Sequence, residues 1–205
     1  MKRWILVGAT LVAMLLFGAV FYFAQNPGPP PPAFKLGGRV DNVTLRDLKG
    51  QSFQLYDLGR DSKLTVLMFI STQCPISNDY NQRMVALDRD YSPKGVKFLA
   101  LNSNKQESIP EIAEHASRNG FAFPLFKDES NVLADLFGAS VTPEIYVFDT
   151  TWTMRYHGRI DDSRPVEKVT VSDLRNALDA LLDGRQVPVS ETKAFGCTIK
   201  RVKKA

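Results

Sequence analysis

The sequence predicts an α/β domain, a central mixed β-sheet flanked by helices, behind one N-terminal transmembrane helix. Three observations predict it. Residues 64–70 (LTVLMFI) form a continuous apolar, β-rich run, as a strand buried on both faces requires. Helical and apolar strand segments alternate after it, which implies parallel strands joined by right-handed crossovers. Residues 4–24 form an uncharged, mostly apolar run, and roughly 20 residues at about 1.5 Å each cross a hydrocarbon core.

The order of elements follows from local signals. Residues 42–45 and 52–56 alternate around Lys49 and Gly50, and they read as an N-terminal β-hairpin. After the apolar strand, Pro75 suits the first turn of a helix. Tyr80, Met84, Leu87 and Tyr91 recur at helical spacing, so one helix is expected from Pro75 to about Asp90. Residues 96–101 are a second strand. Residues 110–119 are a helix with Gly120 as its stop. A short strand over 121–126 and a short helix over 131–137 follow. Residues 145–148 and 154–156 read as a closing hairpin, and 171–182 as a final amphipathic helix.

Lys2 and Arg3 precede the apolar run and no charge follows until Lys35, so the positive-inside rule keeps the N-terminus cytoplasmic and places the rest outside. The competing reading is a cleaved signal peptide. Cleavage after Ala24 would set bulky Tyr22 where a small residue is preferred. Residues 26–32 (NPGPPPP) are a proline-rich spacer in extended polyproline II. The expected domains are an anchor over 1–25, a linker over 26–38, the α/β domain over 39–185, and a tail over 186–205. The domain is then periplasmic or otherwise extracytoplasmic.

The hydrophobic fraction of 44% and charged fraction of 23% belong to a globular chain. The formal net charge is +4. Much of the excess sits at the ends, in Lys2, Arg3, Lys200, Arg201, Lys203 and Lys204. Such clustering suits membrane topology and a basic tail, and no nucleic-acid partner is expected. Two cysteines and two histidines, distant in sequence, make neither a zinc set nor a haem attachment motif. No cofactor is expected.

Cys74 lies where the apolar strand passes into a helix. The first helical N–H groups favour negative charge there, which lowers a thiol pKa, and the thiolate is the nucleophile. A buried, inert cysteine is the alternative. Ser71 and Ser77 are placed to hydrogen-bond the thiolate or to cap the helix. His157 reads as a base or as a half-exposed strand histidine, and Asp161 and Asp162 as a turn. Asn102 and Asn104 end a strand at the sheet edge where open α/β sites sit.

Residues 40–185 resemble the thioredoxin-like superfamily, in the redoxin branch of peroxiredoxin-like (AhpC/TSA) and TlpA/ResA-like proteins. The segments FISTQCPISNDYNQRM (69–84), FPLFKDESNVLADLFGASVTPEIYVFD (123–149) and YHGRIDD (156–162) carry the resemblance. ETKAFGCTIK (191–200) resembles the tail of a peroxiredoxin-like subgroup. The resemblance implies a thioredoxin-like fold and thiol redox chemistry, with Thr142 and Pro143 facing the cysteine loop. A cis bond before Pro143 would expose the Thr142 backbone to substrate, beside Pro75 and Ser77.

Two departures matter. Thioredoxins and ResA-like proteins carry Cys-x-x-Cys, whereas here the run is Cys74-Pro75-Ile76-Ser77. Peroxiredoxins carry Pro-x-x-x-Thr/Ser-x-x-Cys. Ser71 matches the hydroxyl, but Leu67 stands at the proline position. Cys197 is therefore read three ways. It resolves a sulfenic acid or mixed disulfide on Cys74, it forms a structural disulfide worth about 4–5 kcal/mol through loop closure, or it stays unpaired. Catalytic roles thus fall to Cys74, Cys197 and Ser71, in a thiol-disulfide oxidoreductase or a thiol peroxidase. The partners would be a disulfide protein or peroxide and an external thiol reductant. The rival reading is a non-catalytic peptide-binding or client-binding module. Copper delivery would need a Cys-x-x-x-Cys or Met/His-rich site that the sequence lacks.

Overall fold

The computed structural model describes residues 34–203. The expected membrane helix and most of the proline-rich linker lie outside the described residues. Among those described, no helix is long and apolar enough to cross a membrane.

The elements run β1 (Thr44–Arg46), β2 (Ser52–Gln54), α1 (Leu55–Leu58), β3 (Leu64–Phe69), α2 (Pro75–Asp79), α3 (Asn81–Tyr91), β4 (Val96–Asn102) and α4 (Ile109–Asn119). They continue with β5 (Leu125–Lys127), α5 (Val132–Phe137), β6 (Val141–Thr142), β7 (Glu144–Asp149), β8 (Met154–Gly158), α6 (Asp173–Leu182) and β9 (Cys197–Thr198). The central sheet has the order β5-β4-β3-β7-β8. β3, β4 and β5 are parallel, and β7 and β8 join antiparallel. This is the mixed α/β sheet of a thioredoxin-like fold.

β3 is central, and all of its residues are buried. Its apolar run conceals an alternation. Leu64, Val66 and Met68 face one core with Phe98, Ile145 and Val147, under Met84 and Leu87 of α3 and Leu174 and Leu178 of α6. Leu67 and Phe69 face the other, with Leu99, Leu101, Tyr146 and Phe148, under Leu45, Leu55 and the α5 residues Leu133 and Phe137. Covering both faces removes the polar alternation that a half-exposed strand would show.

Several boundaries differ from expectation, each for a physical reason. The helix expected from Pro75 to about Asp90 is split at Tyr80. There α2 closes on a short Tyr80 N–H to Ser77 carbonyl bond of 3.1 Å. The buried Tyr80 phenol donates to Asp161 at 2.8 Å and to the Ser163 carbonyl at 2.9 Å, so a distant loop fixes this side chain. The strand expected over 121–126 is confined to Leu125–Lys127. Pro124 has no N–H to donate, although its carbonyl accepts from Ala100 at 2.9 Å. The N-terminal hairpin is present but short, because Leu55–Leu58 turn into helix. The strand in the tail, β9, was not anticipated.

α4 starts as its sequence dictates. Ser108 and Glu111 form a reciprocal capping box, Pro110 sits in the first turn, and Gly120 ends the helix at φ 70°. The same Glu111 accepts from Thr72 Oγ1 at 2.7 Å and Gln73 Nε2 at 3.0 Å, which ties this helix to the cysteine loop.

Candidate functional site

The site is assembled from three backbone segments: the loop between β3 and α2, the β6 strand before Pro143, and the tail strand β9. Cys74 is the N-cap of α2, and its sulfur accepts from the Ser77 N–H at 3.3 Å. Its thiol donates to the Thr142 carbonyl at 3.4 Å, and the Cys197 N–H donates to its sulfur at 3.4 Å. The Thr142–Pro143 bond is cis. β6 and β9 pair antiparallel, with Thr142 opposite Cys197, so this pairing delivers the second cysteine. Both cysteines are free thiols.

The environment polarises the pair. Burial alone pushes the Cys74 thiol up. The hydrogen bond from the Cys197 thiol, the N–H groups of Ser77 and Cys197, and Thr142 outweigh it, so its pKa falls below the ordinary thiol value. Cys197 shifts the other way, raised by burial and by the neighbouring Cys74. Cys74 is therefore the more acidic thiol of the two. The Thr142 hydroxyl is buried and has no hydrogen-bond partner among the described residues. Cys74 is 3% exposed, whereas Cys197 is half-buried.

Ser71 and Ser77 direct their hydroxyls to the loop backbone. Ser71 Oγ accepts the Cys74 N–H at 3.0 Å and donates to Glu107, while Ser77 Oγ accepts the Ser71 N–H at 3.1 Å. Ser77 meets the sulfur only through its backbone N–H. Pro75 occupies the first turn of α2, next to the sulfur.

Sequence reasoning missed Glu107. It is 1% exposed and lies beneath the cysteine loop. Its carboxylate accepts from Ser71 Oγ, from Thr72 N–H at 2.8 Å, and from Asn102 Nδ2 at 2.5 Å. Asn102 Oδ1 in turn accepts from Lys127 Nζ at 3.0 Å, and Lys127 also reaches the carbonyls of Asn104 at 2.6 Å and Glu107 at 2.8 Å. Burial lowers the Lys127 pKa, against the pull of Glu107 and other carboxylates. The one sequence signal was that these residues follow the carboxyl ends of parallel strands. Asn102 and Asn104 stand at that edge, but as framework. Asn104 Oδ1 accepts the Lys200 N–H at 2.7 Å and so anchors the tail.

His157 is away from the sulfurs. Its Nε2 meets Glu144 at 2.7 Å, and its ring stacks on Tyr146 with centroids 4.5 Å apart. Glu144 also accepts from the N–H groups of Ser140 at 2.8 Å and Val141 at 3.1 Å, so the pair braces the β6 strand. Burial alone would lower the His157 pKa, but Glu144 outweighs it and the net shift is upward. Burial would raise Glu144, and the His157 and backbone bonds outweigh it, so Glu144 is lowered. The histidine contribution to stability is fully present below its ordinary pKa of about 6.5 and is lost as pH rises through the raised folded value. The glutamate contribution is present above about 4.3 and is lost as pH falls through the lowered folded value. We expect denaturant midpoints to decline as pH rises from about 6.5, and His157→Gln to flatten that decline. An undiminished slope in the variant would assign it to another group.

Asp161 receives Tyr80 and Arg83, the latter at 2.8 and 2.9 Å, and is a packing residue of its turn. Hydrogen bonds from Thr170 and the Val171 N–H lower Asp162 to about 2. Among the described residues, no group of three or more His, Cys, Asp or Glu could hold a metal ion.

The chain is 26% identical over 149 residues to the thiol-disulfide oxidoreductase ResA of Geobacillus thermodenitrificans, covering 72% of this chain and 83% of that protein. A crystal structure of an uncharacterized conserved protein from Geobacillus kaustophilus matches at 37% identity and TM-score 0.77, over 85% of this chain and 96% of that one. A hypothetical protein from Sinorhizobium meliloti 1021 matches at 32% identity and TM-score 0.77, over 84% and 97%. The model of the AhpC/TSA family matches residues 36–157, and the chain therefore belongs to the AhpC/TSA family of redoxins, with ResA as a more distant relative.

Proposed function

We propose that this chain is an exported, membrane-tethered thiol-disulfide oxidoreductase in which Cys74 is the nucleophile and Cys197 the resolving thiol. One observation carries the reading: the tail strand pairs with the strand before Pro143 and sets Cys197 against Cys74, its N–H donating to the Cys74 sulfur at 3.4 Å. The serine at the fourth position of the cysteine motif is thereby replaced, in space, by a cysteine from the tail.

The chemistry balances with two thiols. The Cys74 thiolate attacks one sulfur of a disulfide, forms a mixed disulfide, and releases the other half as a thiolate that takes up a proton. Cys197 loses its proton and attacks the Cys74 sulfur. The second half then leaves as a thiol, and the Cys74–Cys197 bond remains. Two electrons pass to the substrate, and two equivalents of an external thiol, themselves oxidised to a disulfide, restore the pair. The reverse direction oxidises a dithiol. Thr142, Pro143, Pro75 and Ser77 line the approach to the sulfur. Ser71 supports exchange over peroxide cleavage, because its hydroxyl is committed to the Cys74 N–H and Glu107.

The test is pH-dependent alkylation of the full chain in mild detergent, with mass-spectrometric mapping. Cys74 should react with a midpoint below the free-cysteine value of about 8.5, and Cys197 with one above it. One equivalent of oxidised glutathione should then give the Cys74–Cys197 bond, faster than one equivalent of hydrogen peroxide. An unreactive Cys74 would transfer the reading to a binding module, and faster reaction with peroxide would make it a thiol peroxidase.

A further inference from the structure

We propose that the tail strand β9 fills the sheet edge at Thr142 that an extended polypeptide would occupy, so that the direct substrate of the thiol pair is a low-molecular-weight disulfide. The proposal rests on the thiol-disulfide reading above and names the substrate class for it.

Extended peptides bind by adding a strand to an open sheet edge, where backbone hydrogen bonds supply the affinity. One edge takes one strand. Here Val141 pairs with Thr198 and Thr142 with Cys197, and the Ile199 N–H donates to the Ser140 carbonyl at 2.9 Å. The fit is close. A Cβ on Gly196 would lie 1.9 Å from the Thr142 carbonyl oxygen and 2.6 Å from its carbon, so only glycine lets the two backbones meet.

The strand is fastened on both sides. Before it, the Thr192 N–H donates to the His157 carbonyl at 3.0 Å, and Thr192 Oγ1 accepts the Arg159 N–H at 3.0 Å. After it, Ile199 is buried in the second core, the Lys200 N–H meets Asn104 at 2.7 Å, and the Val202 N–H meets Asn131 at 2.7 Å. A tethered segment acts at an effective concentration of roughly millimolar, which a free peptide at micromolar levels does not match. Cys74 is buried against this strand, whose Cys197 N–H meets its sulfur at 3.4 Å, while Cys197 itself is half-buried. A small disulfide needs only in-line access to a sulfur and no backbone pairing.

The experiment compares two probes on the reduced full chain: oxidised glutathione, and the disulfide-linked dimer of a short unstructured peptide. We expect the second-order rate of thiol oxidation to favour glutathione by about tenfold or more, as the concentration advantage of the tether implies. Gly196→Ala lifts β9 from Thr142. It should bring the two rates together and lower the yield of the Cys74–Cys197 bond. Asn104→Ala loosens the tail at Lys200, away from the sulfurs, by removing one of its two hydrogen bonds there (the Lys200 carbonyl still accepts the Lys105 N–H at 2.9 Å), and should shift the ratio in the same direction, to a smaller extent, even if the Gly196 variant does not fold. Equal or faster reaction of the peptide dimer with the unaltered chain would overturn the proposal and leave the thiol-disulfide reading intact. Failure of both probes to oxidise the thiols would overturn both.

Discussion

Cys74→Ser should reduce thiol-disulfide exchange to the uncatalysed rate while leaving the fold in place. A serine hydroxyl does not ionise near neutral pH, so the nucleophile is removed outright. The fold should tolerate the change, because Cys74 is an N-cap that accepts the Ser77 N–H, and serine is among the preferred residues at that position. A melting midpoint near that of the unaltered chain, beside lost exchange, separates chemistry from folding. Cys197→Ser should act differently. The first attack survives, the resolving step does not, and the substrate half remains trapped on Cys74. Mass spectrometry of the protein after one equivalent of oxidised glutathione would show that adduct. Full function in Cys74→Ser, measured in a client-folding or oxidative-survival assay, would instead establish a binding module.

The second large effect is expected from Glu107→Ala. The substitution removes the acceptor of the Ser71 hydroxyl, of the Thr72 and Gln73 N–H groups and of the Asn102 amide, all at buried or half-buried positions. It also leaves the buried Lys127 ammonium without its foremost balancing carboxylate. Breaking a buried charged network by removing one partner costs about 3–5 kcal/mol. Glu107→Gln keeps an acceptor oxygen and should cost roughly 1–3 kcal/mol, in the range of an imperfectly satisfied buried group. Denaturant unfolding monitored by far-UV circular dichroism measures both. A loss under about 1 kcal/mol for the alanine variant would show that the network does not hold the loop. Where the alanine variant still folds, Cys74 alkylation reports whether a loosened loop has lost the N–H groups that lower its pKa.

Much of the framework was legible because its causes are local. The apolar run of β3 announced a strand covered on both faces, and Pro75 announced the helix beside Cys74. Gly120 marks the end of α4, as glycine does in the left-handed position after a helix. The helix break at Tyr80 was not legible. Its partners Asp161 and Ser163 follow β8, and no helical periodicity encodes a hydrogen bond across that span. Nothing local in the sequence marks Glu107, and only the packing of β4 and β5 buries it against Lys127.

The sequence by itself determined the alternation of strands and helices, the strand-to-helix junction that carries Cys74, and the absence of a second cysteine within its motif. Each depends on side-chain period, on the missing proline N–H, or on capping, all of which act within a few residues. The tertiary structure decided what Cys74 faces. The Thr142 carbonyl and the Cys197 N–H at its sulfur, and the Glu107 brace beneath its loop, come from three distant segments. Only the pairing of β6 with β9 and the burial of the loop beneath the tail bring them to one sulfur.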